Sequence, residues 1–332
     1  MKIFSQLKQL ILKLIVPFTK LAFTLFLLFF LFQIVSTNLI LKKIPEVNPK
    51  FIFLAIITLL IQIILISIRW QLIGNLIKIK NNFRSSFFIN LIGHFFNQTL
   101  PTSIGGDFIR VYLFSRKNSK LKESIYYVVF DRIIGLFFLS VITLFTLIFL
   151  LSYKGLHNYF LIIFSKFLFV SLSFLLLLFV LFIRKEITFP LFINHSFVSL
   201  TQNFLKDFTL LFDIKLINFF ILLLSVSAHS LIVLSLFFCA LSFNIHLNMD
   251  QILLCFLILL LSSIPISFAG WGLREGLMIF ILGIINTPLE NSLIISLAFG
   301  AVQLLSAIPG LILFLNSPFN LLKLKSKVLL CN

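Results

Sequence analysis

Charge is what this sequence has least of. Asp and Glu together number 10 among 332 residues and Lys and Arg 27, so charged side chains make up 11%, against roughly 25% in soluble domains. Hydrophobic residues are 60% and the mean hydropathy is +1.16. A water-soluble fold of this composition is excluded, because its surface would be as apolar as its core. Cysteine is scarce as well. Cys239, Cys255 and Cys331 are too few and too scattered for a disulfide framework or a metal site, and neither metal nor cofactor is expected. P-loop, nucleophile-elbow and H-E-x-x-H patterns are missing. That removes common ATPase and hydrolase chemistries and leaves no residue with a catalytic assignment.

Long, nearly uncharged runs are abundant, and runs of 18 or more read as membrane-spanning helices. The expected fold is an all-α polytopic membrane protein forming one integral domain over residues 1–332. About six full spans fall at 16–36, 51–68, 133–151, 160–183, 216–241 and 289–315. Residues 1–34 look like a signal peptide, but the apolar run is long and no A-x-A-like site follows, so a retained first span is expected. Lys2, Lys8 and Lys13 at near-helical spacing make residues 1–15 a basic interfacial helix, and residues 190–212 read as an amphipathic surface helix.

The net charge of +17 does not gather on one face, so nucleic acid is not an expected partner; anionic headgroups and membrane topology account for it better. Ten Lys/Arg lie in 69–132, four in 184–215, and Lys323, Lys325 and Lys327 in the tail 317–332. The positive-inside rule makes those segments cytoplasmic, with both termini inside and the chain multi-pass in the inner (plasma) membrane.

Proline and glycine are also rare, at nine and twelve, so their clustering carries weight. Two regions, 84–125 and 250–287, have short apolar runs on either side of a Pro/Gly-containing polar segment. Within them Pro101, Ser103, Gly106 and Arg110 match Pro265, Ser267, Gly270 and Arg274 at identical spacing. This predicts two re-entrant or broken-helix hairpins, with Gly105 and Gly272 also in their backbones. The hairpins would sit in pseudo-repeat halves, 16–151 and 160–316, inverted relative to each other as in many transporters. Broken backbone at membrane depth is tolerated where it is buried in protein or lines a cavity, and a helix N-terminus beside an arginine makes an anion site.

The charged candidates are Arg110 and Arg274, Asp107 and Glu275, and the pair Asp131–Arg132, expected at the start of a span. An arginine inside a membrane is costly and faces a cavity or a partner; Asp107 and Arg110 share a helix face at three residues' spacing. His94 and Asn97 precede the first break. His229, with Ser225, Ser227 and Ser230, lies within an apolar span, where small polar residues usually serve helix packing.

Three stretches, NQTLPTSIGGDFIR, FDRIIG and IPISFAGWGLREG, together resemble the lysylphosphatidylglycerol synthase transmembrane region, or flippase-like domain family. Ala269 departs from it, where the family tends to carry a glycine. The resemblance implies a membrane domain that moves a lipid between leaflets, aminoacylated phosphatidylglycerol in some members, which carry a soluble synthase domain after the membrane part. Only residues 316–332 follow the last expected span here, so aminoacyl transfer is expected elsewhere, with a separate synthase or glycosyltransferase as candidate partner alongside membrane lipids. On this reading Arg110 and Arg274 bind phosphate, and Asp107 and Glu275 release it or hold a cationic headgroup. Asp131, Arg132, Asn97, Ser103 and Ser267 complete the site. The alternatives are an integral-membrane transferase for lipid-linked glycans, with Asp or Glu as base, and an accessory scaffold for such an enzyme.

Overall fold

A computed structural model describes residues 22–31, 43–100, 105–118, 121–153, 158–183 and 216–316, and the single positions Thr19, Gln33, Val35, Asp207 and Leu210. The expected interfacial helix 1–15, most of the stretch 190–212, the tail 317–332, and Pro101 and Ser103 lie outside the described residues.

Every regular element described is helical. Besides a short 3-10 helix at Ile44–Glu46 they are, in chain order, α1 (Ala22–Leu31), α2 (Pro49–Leu76), α3 (Phe83–Thr99), α4 (Gly105–Asn118), α5 (Leu121–Tyr153), α6 (Tyr159–Ile183), α7 (Leu216–Ser242), α8 (Met249–Ser262), α9 (Leu273–Gly283) and α10 (Leu289–Asn316). Local chemistry sets several starts. Asn48 caps α2, its Oδ1 accepting from the Lys50 N–H at 3.1 Å with Pro49 in the first turn. Asn82 caps α3 through the Ser85 N–H, also at 3.1 Å. Among the described residues, four helices are long and apolar enough to cross a membrane: α2, α5 (as Leu121–Ser152), α7 and α10. The chain is a multi-pass membrane protein.

Two of these helices outrun their expected bounds. α2 continues to Leu76 rather than ending near 68, and α5 begins at Leu121 rather than 133. The charges there do not end the helices, because neighbouring helices neutralise them. Asp131 and Arg132 consequently sit about three turns inside α5, not at the start of a span. The first awkward region therefore divides into a hairpin, α3–α4, and the opening of α5. The second is the hairpin α8–α9, whose arms of 14 and 11 residues flank a non-helical stretch at 263–272.

Helix contacts repeat across the chain. When α2–α5 are exchanged with α7–α10, α3 on α10 becomes α8 on α5, α4 on α5 becomes α9 on α10, and α2 on α10 becomes α7 on α5. Each of these contacts is present, and α2 packs on α7. Those two helices run antiparallel. The Asn48 N–H donates to the Ser242 carbonyl (2.8 Å), the Ser235 hydroxyl to the Ala55 carbonyl (3.0 Å), and Arg69 Nη1 to Ser225 Oγ (3.3 Å). Ser225 and Ser235 on their seam are buried, small residues of the kind that let membrane helices approach closely. One large apolar core includes Leu59, Leu236, Leu257, Met278 and Phe299, and a second, aromatic core centres on Trp70, Phe114, Tyr127 and Phe130. Outward-facing Phe26, Phe53, Phe145 and Phe167 meet the lipid that a membrane supplies.

Candidate functional site

The first hairpin is held shut by its glycines. A Cβ on Gly106 would collide with the Gly93 carbonyl, and one on Gly93 would lie 2.8 Å from Arg110 Cγ. Asn97 on α3 accepts from the Gly106 N–H (2.8 Å) at the start of α4, so its role in this structure is to pin the two arms together.

On that frame an ion network joins three elements. Arg69 of α2 donates to Asp131 Oδ1 through Nε (3.2 Å) and Nη2 (3.0 Å). Arg110 of α4 donates through Nη2 to Asp131 Oδ2 (2.9 Å) and through Nη1 to Asp107 Oδ1 (3.3 Å). Arg132 pairs with Asp107 Oδ2. The Arg110 guanidinium lies over the Trp70 ring, 4.6 Å from its centroid, a cation–π contact in a desolvated place. Burying charge costs several kcal/mol per ion unless it is paired, and Asp131, 2% exposed, is paired with two arginines. Three arginines face two aspartates, an excess of one positive charge. Arg132 is also the accessible member, its side chain 30% exposed while the others are at 10% or less.

The second hairpin carries a closed network instead. Glu275, fully buried, accepts from the Gly272 N–H (2.6 Å), from Arg274 Nη2 (2.6 Å) and from the Ser296 hydroxyl (3.0 Å). Arg274 also donates through Nε to Ser296 (3.1 Å) and through Nη1 to Gln303 Oε1 (2.6 Å), and it faces the Trp271 and Phe299 rings. One cation and one anion balance, and the carboxylate of Glu275 already fills the N-terminus of α9. Gly300 makes room, since a Cβ there would stand 2.5 Å from Arg274 Nη2. Gly270 and Gly272 have φ of 85° and 81°, left-handed values glycine adopts freely, and Ala269 between Phe268 and Gly270 has φ 48°. Ser267 is buried with its hydroxyl unpartnered, and Pro265 lies in the non-helical stretch.

Asp107, Arg110, Asp131 and Arg132 are thus brought together, and Arg274 and Glu275 form a separate pair. Equal spacing did not give equal placement: Arg110 is the sixth residue of α4, Arg274 the second of α9. Sequence reasoning missed Arg69, counted among the cytoplasmic charges, although Arg69–Trp70 directly follows an apolar run. It also missed Ser296 and Gln303, polar positions inside a span. His229 Nε2 lies 3.1 Å from the Gly135 carbonyl, an acceptor, so that nitrogen carries the hydrogen. The first hairpin also reaches the last span through His94 on α3, whose Nε2 is 3.0 Å from Ser306 Oγ on α10. Ser306 donates to the Gln303 carbonyl (2.9 Å).

Residues 18–310 match the family described as the lysylphosphatidylglycerol synthase TM region. A relative of the chain is the UPF0104 membrane protein MJ1595 of Methanocaldococcus jannaschii, 29% identical over 83 residues, which is 25% of this chain and 25% of that protein.

Proposed function

Since the chain belongs to the lysylphosphatidylglycerol synthase transmembrane-region family, we propose that it moves an anionic or phosphate-bearing lipid between the leaflets of a cell membrane, the inner (plasma) membrane on the positive-inside reading. The observation that carries this is the excess positive charge of the first-hairpin network, exposed at Arg132 in an otherwise apolar bundle. A lipid phosphate takes the place of the Asp107 carboxylate on Arg132, one anion replacing another, so that little charge is left unpaired at any stage. The return of Asp107 then releases the headgroup. Arg274 and Glu275 neutralise each other and shape the second hairpin, rather than offering a second open anion site. Halves whose contacts interchange and whose equivalent helices α2 and α7 oppose each other suit a rocking motion between two openings. The transferase alternative is less favoured, because Asp107, Asp131 and Glu275 are each bound to arginine, whereas a general base must be able to accept a proton. A separate synthase or glycosyltransferase would supply or consume the lipid.

The test is movement of fluorescent phosphatidylglycerol across vesicles containing the purified protein, read by quenching with an impermeant reductant. Wild-type protein should equilibrate the leaflets, and Arg132→Gln, which alters the most exposed member of the network, should slow this by about tenfold, the least expected from losing a charged hydrogen bond. No movement above protein-free vesicles would overturn the proposal.

A further inference from the structure

His229 stands at the middle of α7, the fourteenth of its 27 residues, and belongs to neither ion network. Its ring commits one nitrogen to the fold, Nε2 donating to the Gly135 carbonyl of α5 at 3.1 Å. Nδ1 therefore carries a lone pair. It has no partner among the described residues and is not sealed off, and Ser227 and Ser230, which reach the surface of α7, make its approach polar. Gly135 also seats Arg69: a Cβ there would stand 3.3 Å from both Nη1 and Nη2. Arg69 in turn donates to Ser225 Oγ (3.3 Å), one turn before His229. A neutral imidazole and a buried guanidinium thus share one glycine where α2, α5 and α7 meet. Among the described residues Arg69 is the ion whose field reaches the ring, and no carboxylate lies against it. Asp131 of α5 is bonded to Arg69, and Arg132 follows it in the chain. α8 and α10, which also pack on α7, carry Asp250 and Glu290 in their first turns, at the Ser242 end.

We propose that His229 is a proton-binding site linked to the first-hairpin network, taking up a proton on Nδ1 as an anion binds at Arg132. The site stands on this geometry, while its part in lipid movement rests on the translocase reading above. The proton comes from solvent and forms one N–H bond, and the Nε2 hydrogen keeps its hold on Gly135. The ring then becomes a cation beside Arg69. Three arginines facing two aspartates become four cations facing two anions, so the excess rises from one charge to two. Repulsion is strong where water is scarce. It falls on Arg69, whose bond to Ser225 is the longest of its three. An anion arriving at Arg132 offsets the added charge. Proton and anion therefore favour each other, and linkage makes the factor equal in both directions. Bound together, a proton and a singly charged headgroup add no net charge to the bundle.

Diethyl pyrocarbonate attacks the unprotonated imidazole nitrogen and tests this on the full chain in phosphatidylcholine nanodiscs. The His229 peptide is followed by mass spectrometry over about pH 5 to 8, the range in which histidine changes charge. Its reaction should rise through a midpoint as the pH increases. Dihexanoyl phosphatidylglycerol should move that midpoint up by about 0.7 of a pH unit or more, a fivefold coupling, and dihexanoylglycerol, which lacks the phosphate, should not. Arg69→Met removes the neighbouring cation and should raise the midpoint with no lipid added. His229→Gln keeps a donor for Gly135 but takes no proton, and should abolish the wild type's rise in lipid movement toward low pH. A His229 peptide that is unreactive, or equally reactive, across the range overturns the site. So does a midpoint that phosphatidylglycerol leaves in place or that both lipids move equally. If the midpoint shifts but the wild type moves no lipid, the translocase reading falls while the proton site stands; lipid movement with an unshifted midpoint overturns the proton site alone.

Discussion

Arg69 and Asp131 lie 62 residues apart and meet through two hydrogen bonds to one carboxylate oxygen. Asp131 is also the partner of Arg110, so the loss of either residue is not symmetric. Arg69→Met leaves Arg110 and Arg132 facing two aspartates, a balanced set. Asp131→Asn leaves three arginines facing one. Breaking a buried pair costs about 3–5 kcal/mol, and Asp131→Asn should reach that range while Arg69→Met falls well below it. The thermal midpoint of the detergent-solubilised protein gives the ordering, and equal midpoints would contradict it.

Close approach of backbones gives a second expectation. Gly106→Ala drives a methyl into the Gly93 carbonyl and the Asn97 amide, forcing the arms of the first hairpin apart. Gly276→Ala, in α9 with nothing near its would-be Cβ, should instead stabilise by up to about 1 kcal/mol through helix propensity. Thermal midpoints should therefore move in opposite directions.

What the sequence disclosed, and what it hid, follows from how local each interaction is. The apolar runs, the two breaks and the Asp107–Arg110 pair depend on neighbours within a few residues, and their composition is rare enough to stand out. Arg69 finds its carboxylate on a distant helix, so it resembled an ordinary charge at the end of a span. The same long-range neutralisation let α2 and α5 run past the expected bounds. The matched spacing of Arg110 and Arg274 concealed a difference in helix start: α4 has already begun at Gly105, while left-handed residues at 269, 270 and 272 postpone α9 to Leu273. That postponement brings Glu275 to the position that caps α9, filling an anion site which the spacing alone would leave open.

Ala269 holds a left-handed φ of 48°, a conformation costing a side chain roughly 1–2 kcal/mol. Ala269→Gly removes that strain, partly offset by the greater freedom of glycine in the unfolded chain. A net gain on the order of 1 kcal/mol is expected, seen as a higher thermal midpoint. A lower midpoint would mean that the Ala269 methyl, which is largely buried, contributes more by packing than its backbone costs.

Cys239 and Cys255 are both buried, at 0% and 1% exposure. In a Cys331→Ser background a thiol-reactive dye should leave the folded protein unlabelled and react with both cysteines as it unfolds. Rapid labelling at room temperature would show that α7 or α8 opens in the native state. Ser267 is equally buried, so a cysteine placed there should also be inert, whichever side of the membrane the second hairpin faces.

His94 and Ser306 join the first hairpin to the last span. Because Ser306 donates its own hydrogen to the Gln303 carbonyl, its oxygen is the acceptor and His94 Nε2 the donor. Gln303 also accepts from Arg274, and Gly93, adjacent to His94, packs on Arg110, so α3 and α10 touch both ion networks at this level. His94→Ala and Ser306→Ala should each destabilise, and the double variant should cost less than their sum by about 0.5–1.5 kcal/mol, the worth of one hydrogen bond. His94→Ala combined with Thr143→Ala, a position on α5 bonded to the Leu139 and Phe256 carbonyls, should be additive. If the His94–Ser306 pair were additive too, this hydrogen bond would not couple the halves, and motion of one hairpin would have to reach the other through the remaining contacts between them, such as Thr143 with the Phe256 carbonyl and Arg69 with Ser225.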